Sequence, residues 1–352
     1  MPNCCCAADA CDDLIQRDGA AAFDAQPLLG VLFAVKDNID VAGLPTTAGC
    51  PSFASGPAAQ HTAVVQRLVD AGAIPFGKTK LDPYATGLVA LAVWRSAEPF
   101  DATRVGGGSS SGSAYAVSTG QVPFALGTDT AGSGRVAASF CNISGLKPTR
   151  GWLSSRGVVP ACRGLDCVSI FALSPEDAWA VACIAAGPDP LDPLDPLDPT
   201  SRSAVPPKLR LDTLAGLRIG VPQPLEFFGD ALAAQAFDAA LSALKALGCA
   251  VVDVRYAPLA RAASLLYDGP WVAERYAAVG AFLATHPVDA DPTVAQIVLG
   301  GATPLAHELF SAQYEMQALQ RQAATLWDRI DVMVVPSAPT HPTLADVAAD
   351  PL

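Results

Sequence analysis

Four short apolar runs, residues 31–39, 74–77, 122–126 and 168–173, alternate with segments of helical spacing, and this alternation restricts the chain to few folds. The first run, VLFAVKDNI, is rich in apolar and β-branched residues and bounded by Gly30 and by DVAG, which predicts a buried strand. Residues 62–71 read as a helix leading to the second strand. Residues 106–113 (GGGSSSGS) hold too much glycine and serine for a strand, so a loop running into a short helix at 114–119 is expected. The strand at 122–126 ends in GTDTAGSG, and SPED after the strand at 168–173 is a helix start: Ser174 as cap, Pro175 in the first turn, acids next. Beyond lie a strand at 217–221, a helix at 231–247, a strand at 250–254, a helix from about Leu259 and a strand at 332–335. A helix over 305–330 places Leu305, Leu309, Ala312, Met316, Leu319, Ala323, Leu326 and Ile330 four and three apart, a core-facing stripe. Strands alternating with helices predict an α/β fold with a mixed or parallel central sheet.

With 352 residues the chain has room for a sizeable core. Residues 1–27 read as an N-terminal tail or helix and 28–352 as the main domain. Prolines at 190, 193, 196 and 199 in an Asp-Pro-Leu repeat make 188–207 an extended surface connector. The chain stops soon after an apolar strand, so the domain is expected to be C-terminally truncated. A net charge of −12 excludes a nucleic-acid surface but leaves room for a small anion held by one arginine. Residues 1–13 lack a basic region and an apolar stretch, so no signal peptide is expected. No uncharged apolar run approaches the roughly 18 residues of a membrane span. Ten cysteines then suggest reduced thiols in the cytoplasm. Cys4, Cys5, Cys6 and Cys11 have no accompanying histidine and are read as part of a frayed tail, with no metal.

Several catalytic readings fall away. The four histidines, His61, His286, His307 and His341, lie near proline or in a polar helical stretch, which suits solvated or structural roles. GSSSG at 108–112 fits a nucleophile elbow in letters, but no apolar strand runs directly into it. No Gly-Lys-Ser/Thr follows to make a phosphate cradle. Two S-x-x-K spacings, Ser144 to Lys147 and Ser242 to Lys245, are at the frequency of chance. Three features remain. Lys36 sits inside an apolar strand pattern, where an ammonium must snorkel, pair, or be held neutral as a base. Asp37 is adjacent and so faces the other side of the strand. The loop at 106–113 offers hydroxyls on a permissive backbone. Small residues at 130–134 let successive amides point into one cavity, as an oxyanion hole needs, with Ser133 inside it.

Together, GGSSSGS at 107–113, GTDTAGSGR at 127–135 and GLKPT at 145–149 resemble the signature stretch of the amidase-signature family. Ser109 and Ser133 are 24 residues apart, as that pattern requires, and Lys36 in VKDN matches the family lysine. The resemblance implies a central mixed β-sheet flanked by helices on both faces, with no organic cofactor and no metal. It implies Lys36 as base, Ser109 as a bridging serine on a cis peptide and Ser133 as nucleophile. Oxyanion-binding amides would come from Thr130, Ala131, Gly132 and Ser133, with Asp129 and Arg135 as scaffolding.

Within the family, GLPTT at 43–47, PACRGLDCVSIF at 160–171 and LYDGPWVAERY at 266–276 are most similar to allophanate hydrolase. That likeness implies a small anionic amide substrate whose carboxylate is held by Tyr267 and Arg275, eight positions apart. It also implies a homodimer and a separate C-terminal decarboxylating domain. Residues 90–105 depart from the family's usual loop. The alternatives are an amidase of another specificity, an inactive truncated member, or an amidotransferase A-type subunit.

Overall fold

The computed structural model describes residues 2–87, 98–192, 213–286, 289 and 291–350. The chain divides into two compact units, one of Met1–Pro206, Ala277–Leu299 and Pro342–Leu352, the other of Pro207–Tyr276 and Gly300–His341.

The first unit holds β1 (Leu32–Lys36), β2 (Ile74–Thr79), β3 (Phe124–Asp129), β4 (Ser144–Leu146) and β5 (Cys167–Ala172). Their order is β2-β1-β3-β5-β4; β1 runs parallel to β2 and β3, while β5 is antiparallel to β3 and β4. The period-2 alternation of a strand decides which layer each side chain joins. Phe33, Val35, Leu126 and Ile170 pack against Val64, Val65 and Leu68 of the helix Ala63–Asp70 and against Val181, Ala182 and Ala185 of Pro175–Ala185. Each of these large side chains is fully buried, worth about 1.5–3 kcal/mol. Ala34, Ala125 and Phe171 face the other way, against Ala114 and Val117 of Ser111–Ser118 and Ala137 and Ala138 of Arg135–Phe140. The sheet is therefore mixed and covered by helices on both faces.

Small residues bring that second layer close. A Cβ on Gly112 would stand 2.7 Å from the Lys80 carbonyl oxygen, so only glycine lets the start of Ser111–Ser118 reach the end of β2. Two caps act as the sequence indicates: Thr62 Oγ1 accepts from the Val65 amide at 3.2 Å, and Ser174 Oγ from Asp177 at 3.1 Å.

Several boundaries differ from the sequence reading, each for a local reason. The helix expected at 114–119 begins at Ser111. The strand expected to stop at 126 continues to Asp129, because Thr128 and Asp129 pair with Val168 and Cys167 of β5. The N-terminus is a helix, Pro2–Asp18, and Cys11 packs against Ala22, Leu29 and Ile74, which corrects the frayed-tail reading there. The connector is not solvated at its start: Asp189 and Asp192 are buried, and a carboxylate oxygen of each lies within hydrogen-bond distance of Ser154 Oγ, at 2.8 and 2.9 Å. Residues 193–207 of that connector, and 90–97 of the altered loop, lie outside the described residues.

The second unit is built on a three-stranded parallel sheet of β6 (Arg218–Gln223), β7 (Ala250–Arg255) and β8 (Val332–Met333), ordered β7-β6-β8. Phe237, Leu241 and Leu244 of Ala231–Ala246 cover Ile219, Val221 and Cys249. Ala312, Met316 and Leu319 of Ala306–Ala324 pack on Leu265 of Ala257–Tyr267. Leu305 stands outside this stripe: it occupies the N-cap position, its amide donating to Glu308 Oε2 at 2.7 Å, and its side chain is 59% exposed. Among the described residues no helix is long and apolar enough to cross a membrane, and no group of acidic, histidine or cysteine side chains is arranged to hold a metal.

Candidate active site

Parallel strands that end at one edge of a sheet leave their last residues free to build a site there. Lys36 closes β1 and Asp129 closes β3. Lys36 is completely buried. Its Nζ donates to Ser109 Oγ at 2.7 Å, to Thr128 Oγ1 at 2.8 Å and to Ser110 Oγ at 2.9 Å. Three hydroxyls thus replace the water an ammonium would demand, and among the described residues no carboxylate forms an ion pair with the amine. Burial pushes Lys36 down from its ordinary value to about 7, against the pull of the Asp82, Asp166 and Asp129 carboxylates.

The hydroxyls are themselves oriented. Ser110 Oγ donates to the Thr128 carbonyl at 3.0 Å and accepts from the Thr128 amide at 3.3 Å. Asn38 Nδ2 donates to Thr128 Oγ1 at 3.2 Å. The peptide bond between Gly108 and Ser109 is cis, and Ser109 is completely buried.

Ser133 is half-buried and joins the network through its backbone, its carbonyl accepting from the Ser110 amide at 3.2 Å. Among the described residues no hydrogen bond links the Ser133 and Ser109 side chains. The loop that carries Ser133 is organised by Asp129, which is completely buried. Its carboxylate accepts from the amides of Gly132 (2.9 Å), Gly134 (3.1 Å) and Arg135 (3.0 Å), and from Arg135 Nε and Nη2 at 2.9 Å each. Burial opposes the charge on Asp129, but the Arg135 guanidinium and these amides outweigh it and hold the carboxyl below its usual range. Of the amides expected to line an oxyanion hole, that of Gly132 donates to the Asp129 carboxylate. Thr130 is pinned by its hydroxyl, which donates to Asp166 Oδ1 at 2.5 Å. Asp166 is raised by burial, against the Thr130 hydroxyl and the amides of Cys162 and Ala161.

Tyr267 and Arg275 belong to the second unit. Tyr267 ends its helix and is 63% exposed. Arg275 is buried, and its Nη1 has no hydrogen-bond partner among the described residues.

Sequence reasoning missed Ser110 and Thr128 as neighbours of the amine, and Asp82, which is buried with Oδ2 unpartnered and is raised by burial to about 7 in spite of Lys36. Thr128 lay within the motif already quoted. Asp82, in KLDPY, carried no local signal.

A mixed α/β sheet whose edge holds a buried lysine among serine hydroxyls is a frame suited to amide-cleaving chemistry. The family profile described as Amidase matches residues 3–351. The urea amidolyase of Saccharomyces cerevisiae is 45% identical over 330 residues, covering 93% of this chain and 18% of that protein. The A-type component of the glutamyl-tRNA(Gln) amidotransferase from an Azoarcus species is 34% identical over 363 residues, covering 94% of this chain and 74% of its own. The solved allophanate hydrolase of Kluyveromyces lactis superposes with a TM-score of 0.88 at 42% identity, covering 98% of this chain and 55% of that one. This chain therefore belongs to the amidase family. It spans about a fifth of the urea amidolyase and about half of the allophanate hydrolase it matches.

Proposed function

We propose that this chain hydrolyses the terminal amide of allophanate, releasing ammonia. The observation that carries the reading is the completely buried Lys36 amine, 2.7 Å from Ser109 Oγ, in surroundings that favour its uncharged form. A neutral amine accepts the Ser109 proton, Ser109 draws the proton of Ser133, and Ser133 Oγ attacks the amide carbonyl. Developing negative charge on the carbonyl oxygen meets the amides of Thr130, Ala131 and Ser133. The proton returns to the leaving nitrogen, the C–N bond breaks and ammonia departs. Water then attacks the acyl-enzyme by the reverse relay, leaving a nitrogen that carries two carboxylates. Decarboxylation of that product, spontaneous or in a separate domain, completes the sequence. The family likeness assigns the substrate carboxylate to Arg275 and Tyr267; Arg275 is a buried, permanently charged guanidinium whose Nη1 has no hydrogen-bond partner among the described residues, chemistry that suits a carboxylate.

Ammonia release from allophanate by the purified chain tests the reading. Ser133→Ala should abolish it, and full turnover in that variant overturns the mechanism. A second reading rests on the likeness to the amidotransferase component, whose own length is covered to 74%. A panel of allophanate, biuret, malonamate and glutamine separates the two, since a glutaminase-type enzyme turns over glutamine in preference to allophanate.

A further inference from the structure

The charges of three carboxylates favour the ammonium form of Lys36 against its burial: Asp82 from the segment after β2, Asp166 from the turn before β5 and Asp129 from the end of β3. Two of them are already engaged. Asp129 accepts five hydrogen bonds from Gly132, Gly134 and Arg135. Asp166 accepts from the Thr130 hydroxyl and from the Ala161 and Cys162 amides. Asp82 differs. It is 9% exposed, and its Oδ2 is buried with no hydrogen-bond partner among the described residues. Its main-chain amide donates to the Ser109 carbonyl at 3.2 Å, so Asp82 is tied to the residue that receives the amine. Burial raises the Asp82 carboxyl, and the charge of Lys36 pulls it back down.

A bare carboxyl in an apolar setting does nothing for the fold, because burying it uncompensated is costly. A buried amine has the opposite need. Desolvation alone makes it so weak a base that it no longer draws a proton from a serine, and a nearby negative charge restores its basicity. We propose that Asp82 is a positioning residue for the proton of Lys36, its unpaired carboxyl serving as the counter-charge that keeps the buried amine basic. This deepens the reading of Lys36 as base and rests on it. No proton passes between the two side chains: the O–H bond of Ser109 breaks as the N–H bond at Nζ forms, and the ionised Asp82 carboxylate steadies the ammonium that results. The neutral amine presents a lone pair to Ser109; the ammonium does not.

The test is the pH dependence with which a fluorophosphonate probe labels Ser133 in the whole chain, for wild type, Asp82→Asn and Asp82→Glu. Loss of the counter-charge should move the midpoint of the acidic limb of Asp82→Asn to lower pH by about one unit or more, with a lower plateau, while Asp82→Glu stays near wild type. A lower plateau with an unmoved midpoint overturns the proposal, since a merely structural carboxyl would slow labelling at every pH alike. Undiminished labelling in Lys36→Ala is a different result, and it removes the base reading together with this one. A measurement independent of activity covers the case in which Asp82→Asn does not fold. Carboxyl 13C resonances of aspartate-labelled protein should show Asp82 titrating at higher pH in Lys36→Met than in wild type, because its cation is gone. An Asp82 titration indifferent to Lys36 overturns the proposal.

Discussion

Ser110 takes a hydrogen bond from Lys36 Nζ at 2.9 Å while its own hydroxyl proton is committed to the Thr128 carbonyl at 3.0 Å. A hydroxyl has one proton to give, so Ser110 can only accept from the amine. Ser109, 2.7 Å from the same nitrogen, has no carbonyl acceptor among the described residues, and its proton is the one available to a neutral lysine. The two adjacent serines should therefore differ sharply on substitution. Ser109→Ala is expected to lower kcat by about 10²–10⁴, the usual span for a proton-transfer group. Ser110→Ala should cost about 1 kcal/mol of stability and lower kcat severalfold. Steady-state ammonia release and thermal melts of the two variants check this, and equal losses in kcat would reverse the assignment.

A second prediction concerns pH. Burial lowers Lys36 to about 7, so the fraction of neutral base falls as pH drops through that value. Asp82, raised to about 7, titrates in the same window, and the observed midpoint belongs to the pair. The rate should be near its plateau at pH 8, fall below pH 7, and lose about tenfold per unit at the acidic extreme. An ordinary exposed lysine would instead put the limb near 10. A kcat/KM profile between pH 5 and pH 10 distinguishes the two.

The third prediction tests close packing behind the serines. A Cβ on Gly127 would lie 2.4 Å from Phe171 Cε2 and 2.9 Å from Ser110 Oγ. The ring is fully buried and has nowhere to retreat. Gly127→Ala should cost about 1–3 kcal/mol by overpacking and, by pushing Ser110, disturb the groups around Lys36. Denaturant melts should show the stability loss, and labelling of Ser133 should slow in protein that is still folded. Unchanged labelling would mean that Ser110 tolerates displacement.

How far the fold and the site could be read from sequence follows from the kind of signal each part leaves. β1 and β5 announce themselves as apolar runs because both faces of each are covered, whereas β2, at the edge of the sheet, leaves Phe76 exposed and shows only a short run. The last two residues of β3 do not, since Thr128 and Asp129 are polar and buried, and only their pairing with β5 reveals them as strand. Lys36, Ser109 and Ser133 stood out as an amine in an apolar strand and as hydroxyls in glycine-rich loops. The use of the Gly132 amide by Asp129 depends on which way one peptide plane points, and nothing in GTDTAGSG records that. Asp82 is a lone acid in a polar segment, and it gains meaning only when the sheet carries it to the lysine. The docking of Asp189 and Asp192 onto Ser154 is likewise invisible in a repeat whose composition suggests a solvated tether.

Arg275 offers a test in which stability and function should move in opposite directions. Its guanidinium is buried with Nη1 unmatched among the described residues, an unfavourable desolvation that a bound carboxylate would relieve. Arg275→Met keeps much of the length and packing of the side chain and removes the charge. It is expected to raise the Tm of the free protein by about 2–4 °C and to raise KM for allophanate strongly, with a smaller change in kcat, since carboxylate binding is the same before and during the attack. Arg275→Lys keeps the charge but not the planar fork, and should fall between the two in KM. If Arg275 served only the fold, Arg275→Met would lower Tm and leave KM where it was. Differential scanning calorimetry beside steady-state kinetics on the three proteins decides between these outcomes.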